Sequence, residues 1–237
     1  MSIYMWREQP PLCFTANTAG STIKLTLVQW SPSGTFETST DRSSRSDYTA
    51  WNTITLSNIW DKVYWRNKSW TQTALNALYN YYRFDMTWSI AASWDIWYML
   101  CKNCTQTLSD QNCFYRLFYW CTSLTSTPTI SFTTDSGVWW YFLQTFQWCS
   151  NITTLPKLPL TTLQNQTYQA TFNNCSKIKL STTQDSNYTQ PYRIPREWTW
   201  TVSWTPFTNM FANTWWSFTW TPSANTTYYL HKDNTIV

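Results

Sequence analysis

The sequence predicts a mainly β chain with short helices. An antiparallel β-sandwich comes first, then a short solenoid of repeats, then a β-rich C-terminal cap. Three observations carry that expectation. Apolar and polar residues alternate over short runs before residue 100, which is the period-two signature of half-buried strands. One motif recurs in the middle of the chain at spacings of 28 and 26 residues, and a period in that range marks units that bury their faces on one another. Neither a Gly-rich phosphate loop nor strand–helix alternation is present, so nothing favours a parallel α/β architecture.

In chain order, residues 1–11 form an N-terminal arm closed by Pro10-Pro11. Residues 12–100 carry the sandwich. Ile23, Leu25 and Leu27 alternate with Lys24 and Thr26, and Ile54 and Leu56 alternate with Thr53 and Thr55. Val63 and Trp65 flank Tyr64, and Phe84 and Met86 flank Asp85. Turn-forming clusters separate these runs, at residues 31–34, 39–47 and 57–61, where Ser, Asn, Asp and Gly offer local hydrogen bonds to the backbone.

Residues 101–182 carry the repeats. Phe118, Phe146 and Phe172 each stand three residues before a cysteine (Cys121, Cys149, Cys175) and six before Leu124, Ile152 or Ile178. Another aromatic lies four positions before each: Phe114, Phe142 and Tyr168. An i, i+4 aromatic pair makes one apolar face on a short helix. Each unit is therefore expected to run as short helix, tight turn, short strand and Pro-bearing return, with these twelve residues as its core. The three cysteines recur once per unit and are expected to form a buried ladder, since free Cys is among the most buried residue types. Residues 183–237 form the C-terminal cap and end in a strand around Tyr228–His231.

The pattern Phe-x-x-Cys-[Ser/Thr]-x-[Leu/Ile] with a downstream x-Pro-x-[Leu/Ile] resembles the BspA-like leucine-rich repeats of bacterial surface antigens and some phage-encoded proteins. The resemblance covers roughly residues 101–180. It implies a leucine-rich-repeat solenoid and a non-enzymatic role in surface adhesion or protein binding. It also implies that the residue before the repeat cysteine is commonly Gly or Asn. Asn174 fits that pattern, whereas Trp120 and Trp148 do not.

That departure belongs to a wider imbalance. The chain has 3 Gly and 19 Trp, where the average Gly share of roughly 7% would give about 17 Gly. Trp60, Trp88, Trp94, Trp120, Trp148, Trp215, Trp216 and Trp220 stand where turn chemistry favours Gly, whereas Trp65 stands on a strand face. One reading is an alternative genetic code, in which a TGA codon written here as Trp is decoded as Gly by the host. The other is genuine Trp enrichment for stacking on carbohydrate.

Composition narrows the function classes. Sixteen basic and twelve acidic residues leave a formal charge of +4, without a Lys/Arg run, so no nucleic acid is expected as partner. No apolar run reaches the ~20 residues of a membrane span, and membrane insertion is not expected. The N-terminal stretch lacks the features of a Sec signal peptide. A surface covered by Thr, Ser, Asn and Gln, with only 12% charged residues, suits an extracellular or virion-surface β protein.

No cofactor, metal or catalytic residue is expected. The single histidine, His231, lies in the terminal strand. Cys101-x-x-Cys104 has no second pair to complete four zinc ligands, and its cysteines are read as free or core thiols. The scattered carboxylates show no pair suited to glycan cleavage. PxxP at residues 156–159 is read as the return of a repeat rather than an SH3-type ligand. The expected function is recognition of a protein or glycan on a cell surface through the repeat face, with Thr122, Thr125, Thr127, Thr153 and Lys157 as the candidate face. The alternatives are a structural component of a phage particle, as fibre or surface decoration, and a glycan-cleaving enzyme.

Overall fold

The computed structural model describes residues 11–29, 34–70, 80–102, 107–108, 112–131, 134–135, 141–159, 162–163, 166–197, 206–216 and 221–237. Residues 1–10 of the expected arm (1–11) and Trp220 lie outside them, while Pro11 is buried and bridges to Asp95. The described residues are mainly β, in several sheets with no barrel. Their one helical element is a 3-10 turn at Ile96–Met99.

Eight strands precede that turn: β1 (Leu12–Ala16), β2 (Ser21–Val28), β3 (Phe36–Ser39), β4 (Ser46–Tyr48), β5 (Ile54–Leu56), β6 (Lys62–Asn67), β7 (Tyr81–Met86) and β8 (Ile90–Ser93). Eleven follow: β9 (Thr107–Leu108), β10 (Leu124–Ser126), β11 (Thr134–Asp135), β12 (Thr154–Leu155), β13 (Thr162–Leu163), β14 (Lys179–Ser181), β15 (Tyr188–Arg193), β16 (Arg196–Glu197), β17 (Trp215–Trp216), β18 (Thr227–His231) and β19 (Thr235–Ile236).

The alternating runs of the sequence become β2, β5, β6 and β7. Strands β5, β2 and β7 form a three-stranded antiparallel sheet. A six-stranded sheet has the order β10-β8-β1-β6-β3-β4. The two sheets touch through rings: Phe84 of β7 meets Phe14 of β1 at 4.8 Å and Trp65 of β6 at 5.2 Å, both edge to face. Such pairs add about 0.5–1.5 kcal/mol beyond the area they bury. Strand β6 is buried on both faces because Trp94 stacks on Tyr64 at 5.5 Å, with the Arg42 guanidinium 4.8 Å from the Trp94 ring. The buried charge of Glu37 is met by the guanidinium groups of Arg66 and Arg45.

The larger sheet also reaches into the repeats, since β10 joins β8 in parallel. Beyond it the pairings are short and mostly parallel: β11 with β9, β13 with β16, and β14 with β17. At the C-terminal end β18 lies antiparallel between β14 and β15, and β19 pairs in parallel with β12.

The segments expected to be short helices are not helical. Residues 112–120, 141–148, 166–174 and 206–213 run as successive turns. Positive φ recurs at every fourth residue: Asn112, Arg116 and Trp120; Gln144 and Trp148; Gln166, Ala170 and Asn174; Asn209 and Asn213. A left-handed residue at that interval breaks the i→i−4 ladder of a helix, so the N–H and C=O groups turn sideways. Every second N–H bonds to the next segment, while those between close turns onto the third residue back, as Tyr115 does to Asn112 and Leu117 to Phe114. Phe114, Arg116, Phe118 and Trp120 donate to the carbonyls of Tyr141, Leu143, Thr145 and Gln147 at 2.9–3.2 Å. Phe142, Gln144, Phe146 and Trp148 donate in turn to Thr167, Gln169, Thr171 and Asn173, and the next segment repeats the pattern onto Pro206, Thr208, Met210 and Ala212. The backbone thus turns repeatedly within a segment but is bonded between neighbouring segments as in a sheet.

Candidate binding surface on the stacked segments

The turn ribbons have four-residue periodicity, so aromatics four apart point to one side, and the same side in every copy. Two ring ladders result. Phe118, Phe146, Phe172 and Phe211 stack at 5.1, 5.6 and 5.5 Å with interplanar angles of 8°, 4° and 11°. Phe114, Phe142, Tyr168 and Phe207 stack beside them at 5.1, 5.2 and 6.5 Å. All twelve expected core positions are buried: Phe114, Phe118, Cys121, Leu124, Phe142, Phe146, Cys149, Ile152, Tyr168, Phe172, Cys175 and Ile178.

The cysteines have a more specific place than filling space. The thiol of Cys149 donates to the carbonyl of Phe118 at 2.9 Å, and that of Cys175 to Phe146 at 3.1 Å. Cys121 makes the same bond to Phe84 of β7 at 2.8 Å. Burial pushes all three thiols well above their ordinary range, which keeps them protonated as donors and poor as nucleophiles. Thr145 and Thr171 tie adjacent segments in the same way, donating to the carbonyls of Phe114 and Phe142, each at 2.8 Å. Cys101 is disulfide-bonded, where the sequence predicted a free or core thiol.

A fourth copy, centred on Phe207 and Phe211, escaped the sequence reading. Its anchor lies 39 residues after Phe172 because strands β15 and β16 are inserted before it, and Thr214 stands at the cysteine position. The i, i+4 phenylalanines and Asn213 were the signal, with Asn213 matching Asn174 at the left-handed site.

The five candidate face residues divide. Thr122 and Lys157 are exposed. Thr125 and Thr153 are half-buried and spend their groups on neighbours. The Thr125 hydroxyl donates to the Ile90 carbonyl at 3.1 Å, and the Thr153 N–H donates to the Thr125 carbonyl at 3.0 Å. Thr127 does not belong to an exposed face. It is 1% exposed. Its N–H donates to the Thr154 hydroxyl at 2.7 Å and the two hydroxyls lie 3.0 Å apart. A buried hydroxyl needs such a partner, and the next copy supplies it.

The outer rim lies elsewhere. Thr122, Ser150 and Ser176 follow the three cysteines, and Ser123, Asn151 and Lys177 follow those. Thr122, Ser176 and Lys177 are exposed and the others half-buried. Asn151 donates its amide to the Thr122 carbonyl at 2.7 Å, and the Ser176 hydroxyl reaches the Ser150 carbonyl at 3.4 Å. The side-chain pattern was legible as the Ser/Thr after each cysteine. Its exposure was not, because that depends on the sharp turn at the preceding residue.

The carboxylates with described side chains are bound into local structure. Asp41 accepts from the N–H groups of Ser43 and Ser44, which hold it well below the usual range. Asp47 pairs with Lys68, Asp85 with Arg83, and Asp233 with Lys179. Among the described residues no cluster of three or more His, Cys, Asp or Glu side chains is placed to hold a metal ion, and no helix is long and apolar enough to cross a membrane. His231 accepts from the Asp233 N–H at 3.2 Å and packs against Tyr188. Comparison with protein-family models, with curated proteins and with solved structures gives no match.

Proposed function

We propose that the chain is a non-enzymatic binding module of a cell or virion surface. In this reading an antiparallel sandwich carries a solenoid of BspA-like leucine-rich repeats, closed by a β-rich cap, and the partner is a surface protein or glycan. The observation that carries it is the polar rim of Thr122, Ser123, Ser150, Asn151, Ser176 and Lys177, repeated at the spacing of the stacked rings. A rigid row of hydroxyl and amide groups about 5 Å apart has the spacing of neighbouring strands, and preorganisation lowers the entropic cost of binding. The local ion pairs and turn bonds of the described carboxylates support a binding role over glycan cleavage, which needs two carboxyl groups facing one cleft.

The test is a five-fold alanine variant at Thr122, Ser150, Asn151, Ser176 and Lys177, assayed for binding to intact bacterial cells and to immobilised glycans. At least a tenfold loss of affinity with an unchanged Tm is expected. Undiminished binding would remove the rim from consideration.

A further inference from the structure

We infer that Trp51, Trp60, Trp88, Trp94, Trp120 and Trp148 stand at glycine positions, the codon being one that the organism making this protein decodes as glycine. These six residues have φ between 62° and 76°. Left-handed backbone is routine for Gly and tolerated by Asn, but is an outlier for a bulky side chain. Among the described non-Gly residues with positive φ, tryptophan is nonetheless the commonest type, ahead of the five asparagines.

Turn geometry sharpens the point. In four cases the Trp is the third residue of a four-residue turn closed by a backbone bond. Asn52 donates to Thr49 around Trp51, and Asp61 to Asn58 around Trp60. Cys121 donates to Phe118 around Trp120, and Cys149 to Phe146 around Trp148. With positive φ, that third position is the one turns fill with Gly or Asn. The third and fourth copies of the stacked turn carry Asn174 and Asn213 there, with φ of 62° and 56°.

The remaining described tryptophans are the internal control. Trp65 in β6 and Trp97 in the 3-10 turn are buried and have no positive φ. Trp215 and Trp216 form β17, so the expectation that they occupy turns does not hold. Exposure follows the same division except at Trp70, which is 65% exposed without positive φ, and at Trp94, which is left-handed but half-buried. Five of the seven exposed large hydrophobic side chains are left-handed tryptophans, from Trp148 at 38% to Trp60 at 72%. A glycan-stacking role does not account for Trp120 and Trp148. Trp120 and Trp148 lie face to face at 5.4 Å and 16°, so each covers a face of the other that a sugar ring would need. With glycine at these sites the stacked Trp120–Trp148 pair disappears.

The test reads the gene and the protein together. TGA codons at the six positions beside TGG at Trp65 and Trp97, with glycine in the corresponding peptides of protein isolated from its source, are expected. TGG at Trp120 or Trp148, or tryptophan in those peptides, overturns the inference. A recombinant chain with Trp51, Trp60, Trp88, Trp120 and Trp148 changed to Gly, keeping the Trp94–Tyr64 stack, provides a second reading. Relief of five left-handed bulky residues should raise Tm by roughly 5 °C or more, and a lower Tm than the chain with tryptophan counts against it. This outcome is independent of the rim-binding assay.

Discussion

Asp95 ties three parts of the chain together through one residue. Its backbone bridges to Pro11 and Thr129, its carboxylate accepts from the Trp97 N–H at 2.9 Å to cap the 3-10 turn, and it takes the Ser131 hydroxyl. Burial raises its pKa above the ordinary 3.8, against the lowering effect of those hydrogen bonds. The folded state therefore holds the proton more tightly than the unfolded chain. The contribution of Asp95 to stability is fullest below pH 3.8 and falls as pH rises from there through the raised folded value. Asp95→Asn keeps an acceptor for Trp97 without the buried charge. It should hold or raise Tm at neutral pH and flatten the decline above pH 3.8, measured as the difference from the parent across a pH series. A lower Tm at neutral pH, with the decline unchanged, would contradict this. Asp41, Asp185 and Asp233, all with lowered pKa values, act in the opposite sense in both proteins and cancel in the comparison. None of this was visible in the sequence, where Asp95 is one acid among twelve. The misfit of Trp before cysteine, by contrast, was visible, because Asn174 occupies the same place in a sister copy.

At the scale of the element, the i, i+4 aromatics announced a single apolar face, and a single face is what forms. The conformation differs because helix and turn ribbon both bring every fourth side chain to one side. Sequence spacing alone does not choose between them. Hydrogen bonding does: a segment flanked by identical copies satisfies every second N–H group outward, at the Tyr141, Leu143, Thr145 and Gln147 carbonyls for the first copy. The ladder then makes each ring a support for two others. Phe146 lies between Phe118 and Phe172 with no exposed surface. Phe146→Ala should cost about 3–5 kcal/mol, read from denaturant midpoints. A loss under about 1 kcal/mol would mean that the stack collapses around the gap rather than holding it open.

Over the whole molecule, both ends of the ring stack are closed. Phe84 of β7 takes the place of a preceding copy. Its N–H donates to the Leu117 carbonyl at 2.9 Å, its carbonyl accepts the Cys121 thiol, and its ring stacks on Phe118 at 5.4 Å. At the far end Tyr192 meets Phe211 edge-on at 6.3 Å and donates its hydroxyl to Pro156 at 3.0 Å. Stacked architectures depend on such closing pieces, since each unit otherwise leaves an apolar face in water. A chain ending at residue 182 would uncover Tyr168 and Phe172 and strip β19 from β12. Loss of cooperative thermal unfolding and gain of binding to an apolar dye are expected; an unchanged transition would show that the last segments are dispensable. The sequence by itself determined the β character, the three anchored copies and the buried identity of their core, because periodicity and residue size are local properties. Tertiary structure decided the turn ribbons, the fourth copy, the burial of Thr127 and the docking of β7 onto the stack. Each of those depends on which backbone groups find partners in a neighbour distant in sequence.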